Sequence, residues 1–229
     1  VCYAETWADR TGFGPNPASA DKFPIWGAHE RRRFFGDKHW NEPLRWNLAA
    51  EKTGIRARVF CMSMGDWAEG RPDYAPYLVR LWDRIERTPW LDWLMLTKRP
   101  QLISKLCPLR LPRIWQGTTA VTQKWLDLRW PLLRAHGAEI NWLSIEPQME
   151  RIVLPDDFLG LGPRGWVICG GQSGARTRYL DPAWARLLRD QCAEAGVAFH
   201  MKQMSGRTKA ELEGIPLDLR IRQFPEVRP

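Results

Sequence analysis

Apolar runs that alternate with helix-like stretches, each run closed by a polar or glycine-containing phrase, constrain this chain more than any other feature. The runs fall at residues 57–62, 93–96, 113–116, 140–145, 165–169 and 197–201, a spacing that suits βα units. Runs that are apolar nearly throughout fit parallel strands buried on both faces. The expected architecture is therefore an α/β fold: a (β/α) barrel, complete or partial, with a doubly wound open sheet as the alternative. A length of 229 residues suits one such domain spanning 1–229, and no linker or internal repeat divides it.

The stretches between the runs carry helical signals. Tyr74, Tyr77, Leu78, Leu81, Trp82 and Ile85 recur at i, i+3, i+4, i+7, an amphipathic helix. Pro100 suits the first position of a short helix over 101–106. A helix is expected from Thr122 with Trp125 and Leu128 inward, kinked or interrupted by Pro131 and ended by Gly137. Asp181-Pro182 caps a helix that turns Trp184, Leu187, Leu188 and Cys192 to one side, and Gly196 ends it. Residues 11–46, rich in glycine and proline, read as an irregular insertion with one short helix and a solvated Arg31–Arg33 cluster. The tail over 206–229 is basic and weakly patterned.

The net charge of +8 and pI of about 9.5 favour acidic partners such as nucleic acid, or belong to a basic enzyme with no polyanion partner. Most of the 14 tryptophans are expected in the core or in grooves, while an exposed one can stack bases. Five cysteines at 2, 61, 107, 169 and 192, with no C-x-x-C pair, exclude a disulfide framework or a complete zinc site and point to a reducing, cytoplasmic setting. Cys61 and Cys169, within apolar runs, read as core, and Cys107 and Cys192 need no functional role. No apolar run approaches a membrane span of about 20 residues. The four histidines lack metal-ligand spacing. His200 reads as a satisfied core residue and His136 as a helix C-terminal residue interacting with the dipole.

In either architecture ligands gather at the carboxyl ends of the strands. Those ends read Ser63-Met64-Gly65-Asp66-Trp67, Thr97-Lys98-Arg99-Pro100, Gly117-Thr118-Thr119, Ser144-Ile145-Glu146-Pro147, Gly170-Gly171-Gln172-Ser173-Gly174 and Lys202-Gln203. Asp66 and Thr119 are cap-type residues. Lys98 and Arg99 suit a carboxylate or phosphate, or plain solvation. The 170–174 segment suits an anion-binding nest or a tight turn. Glu146 is placed to bind an amine or hydroxyls, or to transfer a proton.

Together with Cys2-Tyr3-Ala4-Glu5 and Glu42-Pro43-Leu44-Arg45-Trp46, these phrases resemble, in order and spacing, the phage-associated Gp37/Gp68 family (DUF5131), a family similar to the radical S-adenosylmethionine (SAM) enzymes. The resemblance implies a radical SAM-type barrel, a [4Fe–4S] cluster and SAM as cofactors, and an electron donor as partner. It makes Cys2 the last of three cluster ligands, the other two lying upstream of a chain that begins at Val1 without Met. Electron transfer from such a cluster cleaves SAM to a 5′-deoxyadenosyl radical that abstracts hydrogen from a substrate.

On that reading Glu146 and Lys98 are the catalytic candidates. Ser63, Asp66, Thr97, Lys98, Arg99, Glu146, Gly170, Gly171, Gln172 and Ser173 form the cofactor rim, with Lys98 toward the SAM carboxylate and Glu146 toward ribose hydroxyls or the amine. Gln172 stands where the family commonly has Glu, and the double glycine comes too late in strand order to equal the early SAM-binding turn of better-known members. The substrate expectation is nucleic acid or a nucleotide. Two other readings stay open: a non-redox phosphate-binding barrel with Glu146 as base, and a basic nucleic-acid-binding phage accessory protein.

Overall fold

The computed structural model describes residues 30, 32, 34–174 and 177–226. Its centre is a sheet of six parallel strands in the order β1-β2-β3-β4-β5-β6: β1 Ala57–Cys61, β2 Leu91–Thr97, β3 Ile114–Thr119, β4 Asn141–Ile145, β5 Gly165–Gly170 and β6 Ala198–Gln203. A doubly wound sheet reverses its strand order part-way, and this one never does. The sheet curls into a half-barrel, which settles the choice between the two expected architectures. Every expected strand is present, with ends that agree or shift by up to three residues, and β2, β3, β5 and β6 run further toward their carboxyl termini.

Successive side chains on a strand point to opposite faces. On the helix side, Met95, Leu143, Val167, Cys169, Phe199 and Met201 meet Leu81, Ile85, Leu126, Leu133 and Leu188 in the main core. On the concave side, Leu94, Trp115, Ile140, Trp142, Trp166 and Ala198 form a second core, with Phe224 packed against it. Trp142 and Trp166 lie 5.5 Å apart, and the Trp142 indole donates to the Trp115 carbonyl at 3.2 Å. A Cβ on Gly117 would stand 2.2 Å from the Trp142 ring, so this glycine is what lets the indole lie across β3.

Two helices follow the sequence reading closely. Ala75–Glu86 buries Leu81, Trp82 and Ile85. Pro182–Ala195 is capped by Asp181, which accepts from the Ala183 amide at 2.8 Å, and ends at Gly196 with φ 68°. Gln123–Arg134 departs from expectation. It buries Leu126, Trp130 and Leu133, while Trp125 and Leu128 point outward. It also carries apolar residues on two sides, so spacing alone cannot choose the buried one. Pro131 neither ends nor breaks it. The prolyl residue sits on the exposed side, where the carbonyl it leaves without a donor, that of Asp127, can be hydrated.

The two segments read as irregular are more ordered where described. Within 34–46 there are helices Asp37–Trp40 and the start of Glu42–Thr53, and Phe34 stacks on Tyr77 at 3.8 Å. Arg32 is not solvated: it grips Glu69 at 2.6 and 3.0 Å. The rest of 11–29, with Arg31 and Arg33, lies outside the described residues. The tail holds helix Lys209–Glu213, with a capping box from Thr208 and Glu211, and then pairs along β6. Met201 donates to the Ile221 carbonyl and Gln223 donates to that of Phe199, at 2.8 and 2.9 Å. Phe224 thereby reaches Trp166 and His200, and the Arg58 guanidinium of β1 lies 3.7 Å over its ring. This contact ties the two edge strands together across the amino-terminal mouth.

The histidine expectations are corrected. Burial pushes the pKa of His136 and of His200 down to about 4, so both are neutral near pH 7 and His136 puts no charge on a helix dipole. Among the described residues Nδ1 of each is buried without a hydrogen-bond partner, so His200, part-buried beside Trp166, is not a satisfied core histidine. The unfolded chain binds these protons near the ordinary value of 6.5, and the folded chain only near 4. Stability should therefore hold above pH 6.5 and fall as the pH drops toward 4, by on the order of 1 kcal/mol per pH unit per histidine. Urea midpoints at about pH 7 and about pH 5 should show the loss, and a His136→Gln, His200→Gln double variant should flatten it. An unchanged slope in that variant would move the effect to other groups.

Candidate functional site

The carboxyl ends of the strands divide into two clusters with different jobs. The first is a knot around Asp66, which follows β1. Its Oδ1 accepts from Thr97 Oγ1 at 2.6 Å and from the Ala68 amide at 3.1 Å. Its Oδ2 accepts from the Lys98 amide at 3.0 Å and from the Arg99 guanidinium at 2.8 Å. Thr97 in turn receives the Arg99 amide at 2.9 Å. Arg99 reaches on toward Glu69 at 4.0 Å, and Glu69 holds Arg32. Asp66, Thr97 and Arg99 are thus committed to each other: they join the loops after β1 and β2 and stabilise the rim. The Lys98 ammonium is exposed, and among the described residues it forms no ion pair. Ser63 is exposed on the loop after β1.

The second cluster faces the concave side. Glu146, directly after β4, pairs with Lys202 of β6 at 2.7 Å, and the carboxylate is only 18% exposed. Gly170 of β5 lies between them: a Cβ there would meet Glu146 Cγ at 3.2 Å and Gln203 Cγ at 3.6 Å. Gln203 Nε2 donates to the Gly171 carbonyl at 2.9 Å, and the Gly171 amide donates to that of Gln203 at 3.0 Å. Toward the barrel centre the concave wall presents Leu96 and Ile168, partly buried, with Phe60 and Met62 exposed on the β1 side. The result is an apolar wall under a paired carboxylate and ammonium. It suits a ligand with an apolar or aromatic body and a charged end.

Residues 170–174 do not form the open nest considered from sequence. The Gly171 amide is taken by Gln203, and that of Gly174 donates to the Gly206 carbonyl at 3.1 Å. The Gln172 carbonyl accepts from Gly206 at 3.1 Å, and its side chain accepts from the Arg178 amide at 3.2 Å. Ser173 bridges Gly206 as an extension of the sheet. A Cβ on Gly171 would stand 2.3 Å from the Ser205 nitrogen, so glycine is required there by the neighbouring chain. The segment braces the rim, and Gly170 is the member that touches the concave cluster. Exchanging Gly171 for alanine should cost about 1–3 kcal/mol, because backbone has to move; a thermal midpoint matching the parent would show that the 204–206 segment gives way freely.

Lys202 is the partner that sequence reasoning underweighted. Its phrase was visible at a strand end, but nothing in the spacing reveals that β6 curls round to face β4. Gln148, 2% exposed, was also missed; its Oε1 accepts the Cys169 thiol at 3.1 Å. Among the described residues no group of three or more His, Cys, Asp or Glu could hold a metal ion, and no helix is long and apolar enough to cross a membrane. Burial raises the thiol pKa of Cys61, Cys107, Cys169 and Cys192, which makes each a poor thiolate. Cys2 lies outside the described residues.

The sequence matches DUF5131, described as a protein of unknown function, over residues 1–222. The chain belongs to the DUF5131 family. No curated protein and no solved structure matches it. In this DUF5131 chain the half-barrel and its concave rim present the groups a ligand would meet.

Proposed function

We propose that this DUF5131 chain is the barrel of a radical SAM-type enzyme of the Gp37/Gp68 kind, with SAM bound at the concave rim and a nucleic-acid or nucleotide substrate. The observation that carries the reading is the Glu146–Lys202 pair, 2.7 Å apart over an apolar wall with Gly170 between. Such a pair complements a zwitterion. On binding, the Glu146 carboxylate exchanges its lysine partner for a ligand ammonium, and Lys202 turns to the ligand carboxylate. Lys98, exposed at the end of β2 on the same rim, supplies a further cation. Gly170 leaves room beside Glu146 that a methyl group would fill, and Phe60, Met62, Leu96 and Ile168 exclude water from the apolar part of the ligand.

The four described cysteines do not fit a [4Fe–4S] cluster: they stand apart, three of them are buried, and burial raises the thiol pKa of all four. A cluster in this family would draw on Cys2 and on thiolates beyond the described residues. Its contribution would be the electron that cleaves SAM.

Calorimetric titration of SAM into the full chain tests the rim. Glu146→Gln and Lys202→Met should each weaken binding by about tenfold or more, the range for hydrogen bonds to charged groups. Unaltered affinity in both variants would sink the assignment. In a protein that carries the upstream ligands the resemblance implies, reconstituted anaerobically with iron and sulfide, 5′-deoxyadenosine formation should disappear in Cys2→Ala. The part-buried Glu146 carboxylate also favours a second reading, a non-redox barrel enzyme with Glu146 as general base. Turnover in air without iron would select it.

A further inference from the structure

The outward turn of Trp125 leaves a large aromatic ring on the rim that the concave site does not use. Trp125 is 42% exposed in the first turn of helix Gln123–Arg134, just after β3. The Arg129 guanidinium lies 4.1 Å over its ring and donates to the Thr119 carbonyl at 2.6 Å. One side of the indole is therefore fixed by a cation, which is itself fixed by the end of a strand. Among the described residues Arg129 enters no ion pair. Burial is the main cause lowering its pKa; Asp66 nearby opposes the shift and Arg99 adds to it. Asp66 is saturated by Thr97, Lys98 and Arg99.

The same helix face continues with Lys124, Leu128 and Leu132, all exposed. By helical spacing, Lys124 and Leu128, Trp125 and Arg129, and Leu128 and Leu132 are neighbours at i, i+4. Asp127 lies across the helix from Trp125, beside Lys124 at i, i+3, and accepts from Gln123, as does Glu150. The face thus combines a pinned indole with cations, and its carboxylates are turned away from the indole. That is the chemistry of a stacking platform for a nucleobase with a phosphodiester beside it. A protein partner would bury Leu128 and Leu132; the net positive charge of +8 and the cation pinned beside an exposed indole favour a polyanion with stacking bases.

We infer that Trp125, with Arg129 over its ring and Lys124 at the preceding helix position, is a contact site for single-stranded nucleic acid on the outside of the rim. A base stacks on the open face of Trp125, and the adjoining phosphate lies on Arg129. The site needs neither SAM nor a cluster, so it stands whether or not the concave rim binds SAM.

Fluorescence anisotropy of a short labelled single-stranded DNA, and of the RNA of the same sequence, tests it on the full chain at several salt concentrations. Binding should weaken linearly in log–log terms with salt. Trp125→Ala should weaken it by about tenfold, and Trp125→Phe should retain most of it. Arg129→Gln should weaken it and lower the salt slope by about 0.7; Lys124→Gln, an exposed change, gives the same reading should Arg129→Gln fail to fold. Two kinds of result would overturn the site. One is binding in Trp125→Ala and Lys124→Gln equal to the parent, or no salt-dependent binding at all. The other is a dimer in sedimentation that Trp125→Ala or Leu128→Ala dissolves, which would make the patch a protein interface.

Discussion

Trp142→Ala should lower stability by about 3–5 kcal/mol, among the largest losses expected from a single change in this chain. The indole is fully buried, lies 5.5 Å from Trp166 and 6.1 Å from Phe60, and donates to the Trp115 carbonyl. Removing it empties the middle of the concave core and frees that carbonyl. Gly117→Ala attacks the same contact from the other side, because its new methyl would overlap the ring at 2.2 Å. That overpacking should cost about 1–3 kcal/mol. The two changes should not add: in Trp142→Ala the added methyl occupies vacated space, so the double variant should be more stable than the sum of the single losses implies. Denaturant titrations of all four proteins give the coupling. Strict additivity would show that the ring shifts aside freely and that Gly117 is not what seats it.

Asp66→Ala should be nearly as damaging, about 3 kcal/mol, since one carboxylate holds two amides, a hydroxyl and a guanidinium. Its side chain is 15% exposed and that of Arg99 38%, so water relieves part of the loss around Arg99 and little around Thr97. Beyond stability, the loops after β1 and β2 should loosen, which hydrogen exchange at Ala68 and Lys98 would report as lost protection. Asp66→Asn keeps an acceptor and should recover part of the stability without the charge. Protection of those amides in Asp66→Ala equal to the parent would show that the loops are held by something else.

Much of the fold was legible because burial on both faces writes itself directly into composition. Runs such as Leu91–Thr97 and Gly165–Gly170 are apolar almost throughout, and helix Pro182–Ala195 announces both ends by Asp181 and Gly196. In Gln123–Arg134 the spacing does not tell inward from outward, because Trp125, Leu128 and Leu132 form as good an apolar stripe as Leu126, Trp130 and Leu133. The tail gave no periodic signal because its order comes from an edge-on pairing with β6 and one ring, Phe224, seated in a distant core. The rim residues were found by position, at strand ends, but not by role. Asp66, Thr97 and Arg99 are spent on one another, and the 170–174 amides at Gly171 and Gly174 on the neighbouring chain.

Local sequence determined the strands, most helices, and which residues stand at the carboxyl ends, since these depend on neighbours a few positions apart. Only the tertiary structure decided that the strand order never reverses, that Glu146 meets Lys202 while Asp66 is tied up, and that Trp125 faces solvent. The reason is physical. Curling a parallel sheet brings together side chains separated by more than fifty residues, and the pairing of a charge is settled by distances of a few ångströms that no local pattern encodes.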